Sequence, residues 1–211
     1  MILVGQYDSP YTRRVAVSLH LLGLQFTRDT SSVFSNADHV RTINPLGRVP
    51  ALVLADGEVL IESSAILDYL DETVGPARAL LVASGPERRA ALRTIAIATG
   101  GMDKAVAIIY ERFLRPAEKL HQAWLDRCET QLAAAFAYLD AQPLAEGLQA
   151  GHKPQAAIAA VCLMSLVRLR IPDQLPIGRY HRLDDLAAQA ESRDAFLACR
   201  PSPDDTAPGR G

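Results

Sequence analysis

The tightest constraint on this chain is local. Asp56-Gly57 stands between two apolar runs, Val49-Pro50-Ala51-Leu52-Val53-Leu54 and Val59-Leu60-Ile61. An Asp-Gly pair flanked by strand formers is the strongest short-range signal for a β-hairpin. Pro50 is confined to the start of the first run, where it can be tolerated in a strand. The preceding residues extend this hairpin into a mixed domain. Ile2-Leu3-Val4 reads as a short buried strand. Ser9 then suits an N-cap and Pro10 the first helical position. Val15, Leu19 and Leu22 repeat at helical spacing, and Gly23 suits the left-handed residue that ends a helix. Residues 24–30 read as a second strand and 31–43 as a short helix, before turn chemistry at Asn44-Pro45-Leu46-Gly47. After Glu62-Ser63-Ser64, the spacing of Ile66, Leu67 and Leu70 predicts another helix. The expected order is β-α-β-(α)-β-β-α over residues 1–75.

Beyond a linker at 76–85, the pattern changes to helices alone. Ser84 and Glu87 have capping-box spacing. Residues 86–114 predict a long helix, bent at Gly100-Gly101. Residues 117–141 predict a second, with Leu120, Trp124, Cys128, Leu132, Phe136 and Leu139 on its inner face. Residues 154–170 are apolar nearly all round, as in a helix buried within a bundle. One or two short helices follow at 183–199. The expected organisation is therefore an α/β domain over 1–75, an all-helical domain over 86–200, and a flexible tail over 201–211.

Composition limits the function classes. Of 211 residues, 49% are apolar and 22% charged, enough to bury a core. Twenty-two basic against 24 acidic residues give a net charge of −2, which argues against a protein working through non-specific nucleic-acid contact. No apolar run approaches the roughly 20 residues that span a bilayer, and the N-terminus lacks the basic and apolar regions of a signal peptide. Cys128, Cys162 and Cys199 are odd in number, far apart and without metal-ligand spacing. A cytoplasmic protein with no metal is expected.

Three places carry possible chemistry. Ser9 lies where a strand ends and a helix begins; free N–H groups and the positive end of the dipole favour a thiolate held there, and a hydroxyl donor stabilises it further. On its own, Ser9 reads first as a plain helix cap. Val49-Pro50 either opens a strand in trans or forms a cis peptide. In cis it would leave the Val49 N–H and C=O free to pair with an extended peptide. Ser63 opens a helix and suits a carboxylate, while Glu62 beside it suits an ammonium group. The pair fits the doubly charged end of an amino acid, and equally fits a cap with an acidic neighbour. Arg13 and Arg14 either raise the local positive potential or are solvated.

In this order and spacing, Ser9-Pro10-Tyr11-Thr12-Arg13-Arg14-Val15, Asn44-Pro45-Leu46-Gly47-Arg48-Val49-Pro50-Ala51-Leu52, and Asp56-Gly57 through Glu62-Ser63-Ser64-Ala65-Ile66-Leu67-Asp68-Tyr69-Leu70 resemble the soluble glutathione S-transferase superfamily. The resemblance covers most of residues 1–75; the helical half matches in length and pattern only. It implies a thioredoxin-like N-terminal domain followed by an all-α helical bundle, with cis Pro50. It implies extended glutathione paired to the backbone of Val49, its γ-glutamyl end at Glu62 and Ser63, and its glycine end near Arg48 and His39. Ser9 falls where family members carry the residue beside the glutathione sulfur, with Thr12 and Tyr7 as rivals for that contact. A Ser there suits conjugation or isomerisation rather than thiol transfer.

The second substrate is expected to be a small apolar electrophile, in a detoxifying transfer to glutathione. Tyr11, Met102, Val106, Tyr110 and Phe113 are candidates to line its pocket, although such spacing also suits a core helix. By analogy the protein is a homodimer. Peroxidase, isomerase or dehalogenase chemistry, and a non-catalytic regulatory module on the same fold, stand as alternatives. One departure is that Pro154-Gln155-Ala156-Ala157 replaces the capping box with which the family opens its buried helix.

Overall fold

The computed structural model describes residues 1–149, 151–202 and 205. The tail expected from Pro201 onward lies outside the described residues except at 201, 202 and 205. Residues pack into two units. One contains Met1–Ala83 and the segment beginning at Ser192; the other is Ser84–Glu191. The helical domain expected to run to residue 200 thus gives up its last stretch to the N-terminal unit.

The first unit is built on strands β1 (Ile2–Val4), β2 (Thr27–Asp29), β3 (Ala51–Val53) and β4 (Val59–Ile61), in the order β2-β1-β3-β4. β1 runs parallel to β2 and antiparallel to β3; β4 is antiparallel to β3. Helix α1 (Pro10–Leu22) separates β1 from β2. Ser9 caps it, its Oγ accepting from the Thr12 N–H at 3.3 Å, and Gly23 ends it at φ 66°. Helices α2 (Ala37–Ile43) and α3 (Ser63–Val74) complete the expected series, and α3 packs against α1. The hairpin forms at the expected place. Asp56 closes it by accepting the Glu58 N–H at 3.0 Å, and Leu54 N–H donates to the Glu58 carbonyl at 2.8 Å.

α1 is enclosed on nearly every side. Besides Val15, Ala16, Val17 and Leu19, it buries Arg13 and Arg14. Neither arginine is solvated, and the reason is nonlocal. The short helix α8 (Asp194–Leu197) packs on α1. Arg13 Nε donates to the Cys199 carbonyl at 2.8 Å, its Nη2 reaches the Phe196 carbonyl at 3.4 Å, and its guanidinium faces the Phe196 ring. A buried guanidinium needs such acceptors. The stretch expected as a linker is also tied down. The Asp71 carboxylate accepts from Leu80 and Leu81 N–H at 2.7 and 3.0 Å, and Arg78 donates to the Leu22 carbonyl.

The second unit contains α4 (Gly85–Phe113), α5 (Gln122–Asp140), α6 (Gln155–Arg170) and α7 (His181–Glu191), with α5 and α6 packed on α4. α6 is buried nearly all round, as its composition requires. Two local expectations are corrected. The Ser84-Glu87 capping box does not form: Ser84 makes no side-chain cap, and Gly85 takes a left-handed step at φ 86°. The helix continues unbroken through Gly100-Gly101. A Cβ on Gly101 would lie 2.7 Å from Leu163 and 3.3 Å from Ala135, so this glycine serves the close approach of three helices. The helix expected from 117 starts only at Gln122, after a 3-10 turn at Ala117–Lys119; His121 caps it by accepting the Trp124 N–H on Nδ1 at 3.0 Å. Trp124 is 40% exposed and the inner face begins at Leu125 and Cys128. α6 starts at Pro154 without a side-chain cap.

Candidate active site at one end of the sheet

Strand register brings the three sequence segments together. Val4, the last residue of β1, pairs with Ala51, the first of β3, and Ala51 also pairs with Ile61, the last of β4. The stretch leaving β1 toward Ser9, the Val49-Pro50 step entering β3, and Glu62-Ser63 leaving β4 therefore share one end of the sheet. Val4 also pairs with Asp29, so β2 delivers its terminus to that end.

The first segment is tightly seated. Gly5 has φ 127°, and a Cβ there would lie 2.6 Å from Thr12 Oγ1 and 2.9 Å from Val49 Cβ. Thr12 is thus wedged behind Gly5 and Val49. It is fully buried, and its hydroxyl has no hydrogen-bond partner among the described residues. Ser9 is half-buried at the helix start. Tyr7 is 2% exposed. Its ring lies 3.5 Å from the Arg28 guanidinium and its hydroxyl shares a hydrogen bond with Cys199. Burial, reinforced by Cys199 and opposed by Arg28, pushes the phenol well above its ordinary range. Of the three candidates for a thiolate contact, the structure commits Tyr7 to Cys199 and encloses Thr12, leaving Ser9 partly open.

The second segment is prepared by Asn44. This buried side chain donates from Nδ2 to the Arg48 carbonyl at 2.8 Å and accepts the Leu46 N–H at 3.0 Å. Gly47, at φ 61°, makes the turn. The Val49–Pro50 peptide is cis. The Val49 backbone makes no hydrogen bond among the described residues, although a neighbouring strand begins two residues later. The Arg48 side chain is exposed and likewise unpaired among the described residues.

At the third segment Glu62 is the N-cap of α3. Its φ of 71° is the only left-handed value at a non-glycine residue among those described. Such backbone costs about 1–3 kcal/mol and persists where the surroundings enforce it. Oε2 accepts the Ser64 N–H at 2.9 Å and Oε1 accepts from Ser63 Oγ at 3.2 Å. Ser63 is buried and Glu62 exposed. The carboxylate is held in a fixed orientation with one face toward solvent.

Sequence reading missed a fourth group. Asp29, at the end of β2, accepts from Ser31 Oγ at 2.6 Å and lies 2.9 Å from His39 Nε2. Burial alone would raise its pKa; the bonds from Ser31 and His39 outweigh this and hold it below the ordinary carboxylate value. An Asp-x-Ser turn at a strand end is the signal that could have found it.

The expected pocket residues divide. Met102 is fully buried in the helical unit and lines no open surface, a correction to the sequence reading. It faces the core because α5 and α6 both pack on α4. Val106 and Phe113 are half-buried and Tyr110 exposed, along one side of α4; Tyr11 is half-buried on α1. Among the described residues, no cluster of three His, Cys, Asp or Glu side chains could hold a metal ion, and no helix is long and apolar enough to cross a membrane.

Known proteins match this arrangement. A family model for the glutathione S-transferase N-terminal domain matches residues 3–78. A crystal structure of a glutathione transferase family member from Pseudomonas fluorescens Pf-5, with bound glutathione, superposes with a TM-score of 0.84 at 34% identity, covering 95% of this chain and 98% of that one. The GST-like protein YibF of Escherichia coli K12 is 28% identical over 202 residues, 95% of this chain and 98% of its own length. A maleylacetoacetate isomerase of Pseudomonas aeruginosa is 39% identical over 105 residues, 47% of this chain and 49% of that protein. The chain belongs to the glutathione S-transferase superfamily.

Proposed function

We propose that this protein binds glutathione at the sheet end and activates its thiol for attack on a small apolar electrophile. The observation that carries this is the unpaired Val49 backbone, flanked by the Ser9 helix start and the Glu62-Ser63 cap. Val49 N–H and C=O pair with the cysteinyl part of an extended tripeptide. Glu62 receives the γ-glutamyl ammonium, Ser63 its carboxylate, and Arg48 with His39 the glycine carboxylate. The sulfur then lies at the N-terminus of α1, where Ser9 Oγ donates to it. A free thiol of pKa about 8.5 is only a few per cent ionised at neutral pH, and each unit of depression raises that share about tenfold. This is the main chemical contribution; an apolar surface that brings the electrophile near adds proximity. On this reading the protein works in the cytoplasm as a homodimer.

The identity to a maleylacetoacetate isomerase favours a second reading, in which the thiolate adds to an unsaturated substrate and leaves after bond rotation. Stoichiometry separates the two: conjugation consumes one glutathione per product, isomerisation returns it. The primary test is calorimetric titration with glutathione, then thiol counting during turnover of each substrate type. Saturable binding below cellular glutathione levels is expected. No binding up to millimolar concentration would leave a regulatory module on this fold as the better account.

A further inference from the structure

Cys199 lies 190 residues from Ser9 in sequence, yet it is gripped from both sides of that serine. Two residues before Ser9, the Tyr7 hydroxyl shares a hydrogen bond with the Cys199 side chain. Four residues after it, Arg13 Nε donates to the Cys199 carbonyl at 2.8 Å. Arg13 also carries the first helical bond of α1, its N–H donating to the Ser9 carbonyl at 2.9 Å. Tyr7, Arg13 and Cys199 are all buried. Arg28, on β2, lies over the Tyr7 ring.

We infer that the segment Ser192–Ser202 is a brace for the active site, and that Tyr7, Arg13 and Cys199 are positioning residues that fix Ser9 against the glutathione sulfur. This rests on the glutathione-activating reading above. The loop from Gly5 to Ser9 has one fixed edge at Gly5, packed on Thr12 and Val49. Its other edge is the first turn of α1, held at Arg13. Tyr7 anchors the middle. Without the Cys199 contacts, the Ser9 hydroxyl would be held only by its cap to the Thr12 N–H, at 3.3 Å. A donor held that loosely loses orientation at the thiolate, while the Val49, Glu62 and Ser63 contacts that bind the peptide remain. The expected signature is a fall in turnover with little change in glutathione affinity.

The test uses the full-length protein and Tyr7→Phe, Cys199→Ala and Cys199→Ser. Tyr7→Phe deletes one oxygen and keeps the ring under Arg28. Ultraviolet absorbance of bound thiolate is followed against pH, with kcat and glutathione KM on one electrophile and hydrogen exchange at the Thr12 and Arg13 amides. Tyr7→Phe and Cys199→Ala are expected to lower kcat about tenfold, move thiolate formation to higher pH, speed exchange at both amides and leave KM within about twofold. Cys199→Ser, which keeps an acceptor for Tyr7, is expected to restore most of the loss. Variants with normal thiolate titration and kcat, whatever their thermal stability, would overturn the brace and reduce it to packing. Wild-type protein that forms no bound thiolate would instead sink the glutathione reading and this inference with it.

Discussion

Replacing Gly5 with alanine should cost more than alanine at any other glycine of the N-terminal unit. The added Cβ meets Thr12 Oγ1 at 2.6 Å, Val49 Cβ at 2.9 Å and Thr12 Cγ2 at 3.2 Å, at a φ of 127°. Neither neighbour moves cheaply. Thr12 is β-branched in the first turn of a helix, and Val49 Cβ is fixed by its backbone. Left-handed strain for a non-glycine residue contributes about 1–3 kcal/mol. Overpacking adds about 1–3 kcal/mol. Together they are a large share of the roughly 5–15 kcal/mol that stabilises a folded protein. At about 2–4 °C per kcal/mol for a chain of this size, Tm should fall by roughly 4–24 °C. Thermal and urea unfolding measure this directly. The same substitution on a Thr12→Ala background removes two of the three close atoms, so part of the loss should return as a favourable coupling energy. A Gly5→Ala protein within about 0.5 kcal/mol of wild type, or strictly additive double-mutant values, would refute the claim that Gly5, Thr12 and Val49 form one rigid contact.

Ser9→Ala should keep glutathione binding but lower kcat/KM about 10–100-fold, the worth of one hydrogen bond to a charged group; loss of the cap should cost about 1 kcal/mol in unfolding experiments. Unchanged turnover would remove Ser9 from the chemistry. Ser63→Ala should weaken glutathione about 10–100-fold in calorimetry with little effect on the bound thiolate. Asp29→Asn should flatten the acid limb of stability. Asp29 is held below its ordinary pKa, so its contribution is present above the unfolded value near 4 and is lost as pH falls through the lower folded one. Urea midpoints at neutral and acid pH should therefore converge in the variant, and equal slopes in both proteins would contradict this.

What the sequence made legible was local. Ser9-Pro10 and Gly23 bound α1, and Asp56-Gly57 marks the hairpin, because caps and turns are decided by residues a few positions apart. Which segments would meet was not written locally. It depends on β1 lying between β2 and β3, a pairing across some fifty residues. The same limit explains the arginines of α1. Arg13 reads as a surface residue until Phe196 and Cys199 arrive to accept its protons. Trp124 failed differently: it continues the apolar stripe of α5 but sits in the first turn, 40% exposed, with the Lys104 ammonium of α4 over its ring instead of an apolar side packing on it. Gly101 looked like a hinge because a glycine weakens a helix, whereas Leu163 needs the space.

The order in which this protein is made sets it a problem. Residues 1–83 are translated well before Phe196 and Cys199, which carry the acceptors for Arg13 and the partner of Tyr7. Until they emerge, the nascent N-terminal unit must leave that guanidinium in water and the helix face around it uncovered. The unit born first is therefore completed last. A recombinant fragment cut at the end of the sheet and its helices would be an unfinished half rather than a minimal domain, and loss of the segment carrying Phe196 and Cys199 would be felt at α1.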